Sequence, residues 1–231
     1  MRRSAIGRGF DEDLPIGEDV DFVWRLHASG GRVRYVPDVD VLHEHPARLA
    51  ELVARRYAYA CSVGMLARRH PRALPAVWIT PAAALAWGLA IGGRRRWSAA
   101  VVIWSIARTE QRLRAVTPTS RRLAATLTLR GFGHTATGLS RAVRRAWSPL
   151  LLMVAWRRSR ARGVLAAAFA VPILEDALAT ADVRSIVSDA PLRVLDEVIA
   201  AAGTWDGCIR SRTLRPLLPS FAQPGASPRS S

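Results

Sequence analysis

A short α/β segment followed by a mostly α-helical, membrane-associated C-terminal region is the fold class this sequence predicts. Three observations lead to it. Residues 1–46 are acidic and pass from a helical to an alternating apolar pattern. Residues 73–93 contain no charged side chain. Between Arg94 and Leu174, short apolar runs alternate with clusters of arginine.

The elements follow in order. Val20, Val23, Trp24 and His27 recur at i, i+3, i+4 and i+7, marking one face of a helix from Glu18 to Ala28. Ser29-Gly30-Gly31 supplies its stop. Val33, Tyr35, Val39 and Val41 alternate with polar residues around Pro37, the pattern of one or two short strands broken at the proline. Residues 47–72 read as a basic amphipathic helix. Leu49, Leu52, Val53, Tyr57, Ala60, Met65 and Leu66 keep a helical period, and Arg48, Arg55, Arg56, Arg68 and Arg69 occupy much of the remainder. Such a helix packs on the first segment or lies along a membrane surface.

Residues 73–175 are expected to associate with a membrane. The charge-free stretch Ala73–Gly93 approaches the ~20 residues that cross a bilayer. Arg94-Arg95-Arg96 after it suits a cytoplasmic face. Pro75, Pro81 and the alanine content leave open a buried helix in a helical bundle instead. Trp97–Ala107 is too short to span alone, but with the preceding run it makes a hairpin or re-entrant pair. Ala146–Trp156 and Gly163–Leu174, edged by arginine and tryptophan, suit helices lying in the headgroup zone or serve as ordinary core. Residues 176–218 regain acid and read as amphipathic helix, and residues 219–231, rich in Pro, Ser and Gly, as an unstructured tail.

Composition narrows the partners. The net charge is +16 with a sequence pI of 11.6, and every basic residue is arginine. That excess points to an anionic partner, since arginine pairs planar anions such as phosphate bidentately. Nucleic acid is not expected, because the arginines interleave with apolar runs instead of forming a basic face with stacking aromatics. Membrane lipids fit better. Cys61 and Cys208 are too few and too far apart for a disulfide framework or a zinc site. No signal peptide is apparent after Met1-Arg2-Arg3.

The candidate chemistry lies in the first segment. Asp19 falls in the first turn of the expected helix, where backbone N–H groups and the macrodipole favour an ionised carboxylate. Aimed at an acceptor hydroxyl, it can take that proton, with Glu18 and Asp21 positioning the acceptor. Plain helix capping explains the same residues. His43 and His45 are two apart, so on a strand both face one way and can reach a metal. An exposed strand end explains them too.

In combination these residues say more. Phe10-Asp11-Glu12, Gly17-Glu18-Asp19-Val20-Asp21-Phe22-Val23-Trp24-Arg25-Leu26, Gly31-Arg32-Val33-Arg34-Tyr35-Val36-Pro37 and His43 together resemble the acceptor half of family 2 glycosyltransferases with the GT-A fold. The stretch Val36 to Pro71, with His43-Glu44-His45-Pro46, Arg55-Arg56-Tyr57-Ala58-Tyr59 and Ala67-Arg68-Arg69-His70-Pro71, is similar to the mycofactocin-system branch of that family, as is Gly203-Thr204-Trp205-Asp206-Gly207-Cys208 with Arg212-Thr213-Leu214-Arg215-Pro216-Leu217.

The resemblance implies inverting transfer of glucose from UDP-glucose to a growing β-glucan on the mycofactocin redox cofactor. By that analogy Asp19 is the catalytic base with Glu18 beside it, and Asp11, Glu12 and Asp21 line the acceptor pocket. Arg55 or Arg56 reaches the diphosphate. His43, with His45, is the ligand of Mg²⁺ or Mn²⁺. In that family a nucleotide-binding half with a D-x-D motif precedes the G-F-D-E loop. The chain is therefore expected to be truncated and inactive alone, and attached to the cytoplasmic face of the cell membrane. A non-enzymatic basic protein binding membrane surfaces or nucleic acid is the alternative.

Overall fold

A computed structural model describes residues 7, 9–34, 36, 48–180 and 183–221. Helix α1 (Glu18–Ala28) has the expected bounds, but it buries Asp21 and Phe22, whereas Val23 and His27 of the expected face are exposed. Its end is closed by Gly31 N–H donating to the Leu26 carbonyl at 2.9 Å and Gly30 N–H to that of His27 at 3.0 Å. Helix α2 (Leu49–Arg69) follows, then β1 (Val77–Trp78) and α3 (Pro81–Ile91). Next come α4 (Arg95–Leu113), α5 (Ser120–Ala142), a π-helical turn (Val143–Trp147) and α6 (Ser148–Ala155). The chain ends in α7 (Ser159–Thr180), α8 (Val183–Arg210), a 3-10 turn (Arg215–Leu217) and β2 (Pro219–Ser220).

These elements form two compact units. Unit 1 comprises residues 1–74 and 195–216, unit 2 residues 75–194 and 217–231. In unit 1, α2 packs on the C-terminal part of α8 with almost no side chain between them. A Cβ on Gly64 would overlap the Gly207 carbonyl, and one on Gly207 the Cys61 carbonyl. A Cβ on Gly203 would stand 2.6 Å from that of Ala60. The backbones touch because the sequence places glycine at each crossing point.

Unit 2 centres on Val143, Ala155, Ala161, Leu165 and Ala168, with Trp147, Leu151 and Val164 against them. Pro149 lies one residue into α6; it has no N–H, so the preceding turn cannot close as an ordinary α-helix and widens into the π form. Buried Arg144 donates to the Ala168 carbonyl at 2.7 Å and to Ser140 Oγ, tying that turn to α7. β1 and β2 pair in parallel, Val77 opposite Pro219 and Trp78 opposite Ser220.

The expected α/β fold of the first segment is overturned, and so is a membrane-spanning helix in the region that follows. Of the described residues, 74% are helical. Among the described residues its strands are the two-residue β1 and β2, both in unit 2. Val33, read as a strand position, lies in irregular backbone, whereas Tyr35, Val39 and Val41 fall outside the described residues. Alternation alone makes no strand without a neighbouring edge to pair with.

The charge-free stretch does not become one helix either. Pro81 starts α3, which is only 11 residues long, about 16 Å at 1.5 Å per residue against a ~30 Å hydrocarbon core. No helix among the described residues is long and apolar enough to cross a membrane.

Candidate functional site

The mouth of α1 is set by Gly17. It holds φ 87°, a left-handed conformation, and a Cβ there would come 2.9 Å from Leu66 Cδ1. Glycine alone meets both demands without strain. The next residues, Glu18, Asp19 and Asp21, place three carboxylates in the first turn. Asp19 is exposed, its Oδ1 accepting from the Val20 N–H at 2.8 Å, and Glu18 is partly buried.

Asp21 points the other way and is 1% exposed. Arg25 Nε donates to its Oδ2 at 2.7 Å and His70 Nε2 lies 2.8 Å from its Oδ1. Arg69 Nη1 stands 3.8 Å from Oδ2 and, at 2.6 Å, donates to Asp11 Oδ2. Arg25 also donates to the Gly9 carbonyl at 2.7 Å, and the Trp24 ring meets His70 edge-on at 5.1 Å. Burial pushes the Asp21 carboxyl upward. The hydrogen bonds from Arg25 and His70 and the charges of Arg25 and Arg69 outweigh it, so the net position is below the ordinary carboxylate range. Asp21 is thus an ionised knot joining the Gly9–Asp11 loop, α1 and the end of α2.

A second polar cluster sits where α2 meets α8. The Tyr57 hydroxyl donates to Asp206 Oδ2 at 2.8 Å, Cys61 Sγ is 3.5 Å from the same oxygen, and Arg210 Nε donates to Oδ1 at 2.9 Å. The hydrogen bond to Asp206 pushes the Tyr57 phenol up to about 12, and burial raises the Cys61 thiol. Both are therefore protonated at neutral pH, and the cluster fastens helices without offering a nucleophile.

The expected site residues separate into groups. Asp11 and Asp21 are brought together through Arg69. Asp19 and Glu18 share the helix mouth beside them, and Glu12 is exposed. Arg56 is engaged by Asp196, Nε to Oδ1 at 2.6 Å and Nη2 to Oδ2 at 2.9 Å. Arg55 is exposed and lies over the Tyr59 ring at 5.6 Å. His43 and His45 fall outside the described residues. Among the described residues no group of three or more His, Cys, Asp or Glu could hold a metal ion. Arg25, Arg69 and His70 belong to the site and went unread as partners of Asp21. The Asp21-x-x-x-Arg25 spacing, a helical i,i+4 pair of opposite charge, is the local signal for the first.

The chain is related to a glycosyltransferase. It is 34% identical over 222 residues to the proteins named pre-mycofactocin glycosyltransferase in Mycobacterium tuberculosis strains CDC 1551 / Oshkosh and ATCC 25618 / H37Rv. The match takes in 92% of this chain and 47% of each of those proteins, so the chain spans about half their length. No protein-family model and no solved structure matches it.

Proposed function

We propose that the chain forms the acceptor-activating part of an inverting glycosyltransferase that moves glucose from UDP-glucose to a β-glucan growing on a mycofactocin-type acceptor. The observation that carries this reading is an exposed carboxylate, Asp19, at a helix mouth whose neighbour Asp21 is clamped from three sides. The relationship to a glycosyltransferase over 92% of the chain supports it.

In the reaction Asp19 takes the proton from an acceptor hydroxyl as that oxygen bonds to C1 of glucose. The bond from C1 to UDP breaks, and its electron pair leaves with the diphosphate. Attack opposite the leaving group inverts C1. The Asp21 knot fixes the turn that carries Asp19, so the base meets the hydroxyl already oriented. Asp11 and Asp21 face guanidinium groups and are unsuited to hold a cation, so this reading leaves a divalent ion's ligands to His43 and His45. Mg²⁺ or Mn²⁺ there would supply charge to the departing diphosphate. Attachment to the cytoplasmic membrane face belongs to the same reading, by surface contact and not by a span.

The test replaces the matching portion of a Mycobacterium tuberculosis relative with this chain and follows glucose transfer from UDP-glucose to a pre-mycofactocin acceptor. Asp19→Asn should lower turnover about 10²–10⁴-fold, the usual worth of a general base, and leave UDP-glucose affinity within about twofold. Retained turnover removes Asp19 from that role.

A further inference from the structure

Unit 2 holds a cleft that this chemistry does not use. Helices α3, α4 and α5 enclose about 1130 Å³, beyond the ~300–1,000 Å³ of ordinary small-molecule clefts. Leu85, Leu89, Leu127, Phe132, Trp97 and Trp104 give it an apolar lining. On α4, Trp97, Val101, Trp104, Arg108 and Arg112 follow at helical intervals and make one stripe along a single face. None of the residues of α4 is buried, and Trp97 is 68% exposed and Trp104 53%. An indole stripe this open to water, running into two guanidinium groups, has the layout of a surface that receives an amphiphile.

The charge says of which sign. The lining includes Arg94, Arg108 and Arg112 and no carboxylate. Glu110 on α4 lies outside it and pairs with Arg114 at 3.1 Å. The Arg108 guanidinium lies 5.3 Å above the Trp104 ring, so cation and aromatic are already joined. Beside them the Thr109 and Thr128 hydroxyls, 3.3 Å apart, face the same space. The surroundings are equally one-sided: residues 94–162 contain sixteen arginines and a single carboxylate, Glu110.

We infer that this cleft seats an anionic phospholipid of a membrane surface. Its acyl chain lies against Trp97, Leu85 and Leu127, and its phosphate between Arg108 and Arg112. This rests on the membrane attachment proposed above and says where it occurs. It needs no spanning helix, because arginine stems lie along apolar surface while their heads reach the phosphate layer.

The test sediments the full chain with vesicles of phosphatidylcholine, with and without phosphatidylglycerol, using circular dichroism to confirm that each variant keeps its helices. Binding requires phosphatidylglycerol. Arg108→Glu with Arg112→Glu weakens it about tenfold or more, whereas the charge-matched Arg121→Glu with Arg122→Glu, outside the cleft, changes it less than about threefold. Trp97→Ser with Trp104→Ser weakens it at unchanged charge. Equal losses from both arginine pairs, with the tryptophan variant binding normally, would mean diffuse attraction and overturn the cleft while leaving attachment standing. No binding of the unaltered chain to either vesicle overturns attachment and cleft together. A lipid-free dimer that Arg108→Glu with Arg112→Glu dissolves would show the cleft to be a face between two copies and overturn the lipid.

Discussion

Asp21 concentrates the electrostatics of unit 1. Its carboxyl is buried, ionised and answered by Arg25, Arg69 and His70. Asp21→Asn leaves these cations without their counter-charge and should lower stability by about 3 kcal/mol, the lower end for breaking a buried pair because Arg25 and Arg69 keep some contact with water. Its pH dependence follows from the direction of the shift. A carboxyl held below its unfolded value contributes stability above that value and loses it as pH falls through the folded one. Unit 1 should therefore weaken below about pH 4, and the Asn variant should lose much of that acid sensitivity in denaturant titrations at pH 3 to 7. The sequence displayed Asp21 and its helical pairing with Arg25. It did not display the pairing with Arg69 and His70, which depends on a turn bringing residues 48 and 49 positions later back to α1.

At the scale of the element, the bounds of α1 were legible from its period and flanking glycines, and those of α2 nearly so from its period. The strands expected around Pro37 were not, since strand formation is decided by a partner edge and local pattern is silent about partners. Ala73–Gly93 misled for a different reason. The absence of charge satisfies a membrane and an alanine-rich helix packed in protein equally, and Pro81 decided between them by starting a new helix. The crossing of α2 and α8 joins the Arg55–Tyr59 and Gly203–Cys208 segments, which had seemed related only through a shared resemblance. Its glycines make a sharp prediction. Gly207→Ala would force the helices apart and should cost about 1–3 kcal/mol, seen as a lower thermal midpoint. An unchanged midpoint would mean the backbones do not touch there.

For the whole molecule the lesson concerns charge. Net charge and its concentration between Arg94 and Arg162 were plain in the sequence. How the arginines are borne was not. Most are exposed on their helices, only Arg94, Arg108 and Arg112 line the cleft, and Arg144 is buried. Protein recovered with membranes should therefore be stripped by alkaline carbonate, and by raised salt as screening shortens to ~3 Å at 1 M. Retention in the carbonate pellet would contradict the finding that no described helix is long and apolar enough to span.

The smallest sheet has the widest consequence. The Ala76 N–H donates to the Leu218 carbonyl at 2.9 Å, the Ile79 N–H to that of Ser220 at 3.0 Å, and the Trp147 indole to that of Leu217 at 2.8 Å. Residues early, midway and late in unit 2 are thus fastened by a clasp whose last piece is Leu217 to Ser220. During synthesis this half waits, unlatched, until translation reaches that piece. A nascent polypeptide stalled before Pro219 leaves its clasp open and its apolar helices exposed to chaperones and proteases.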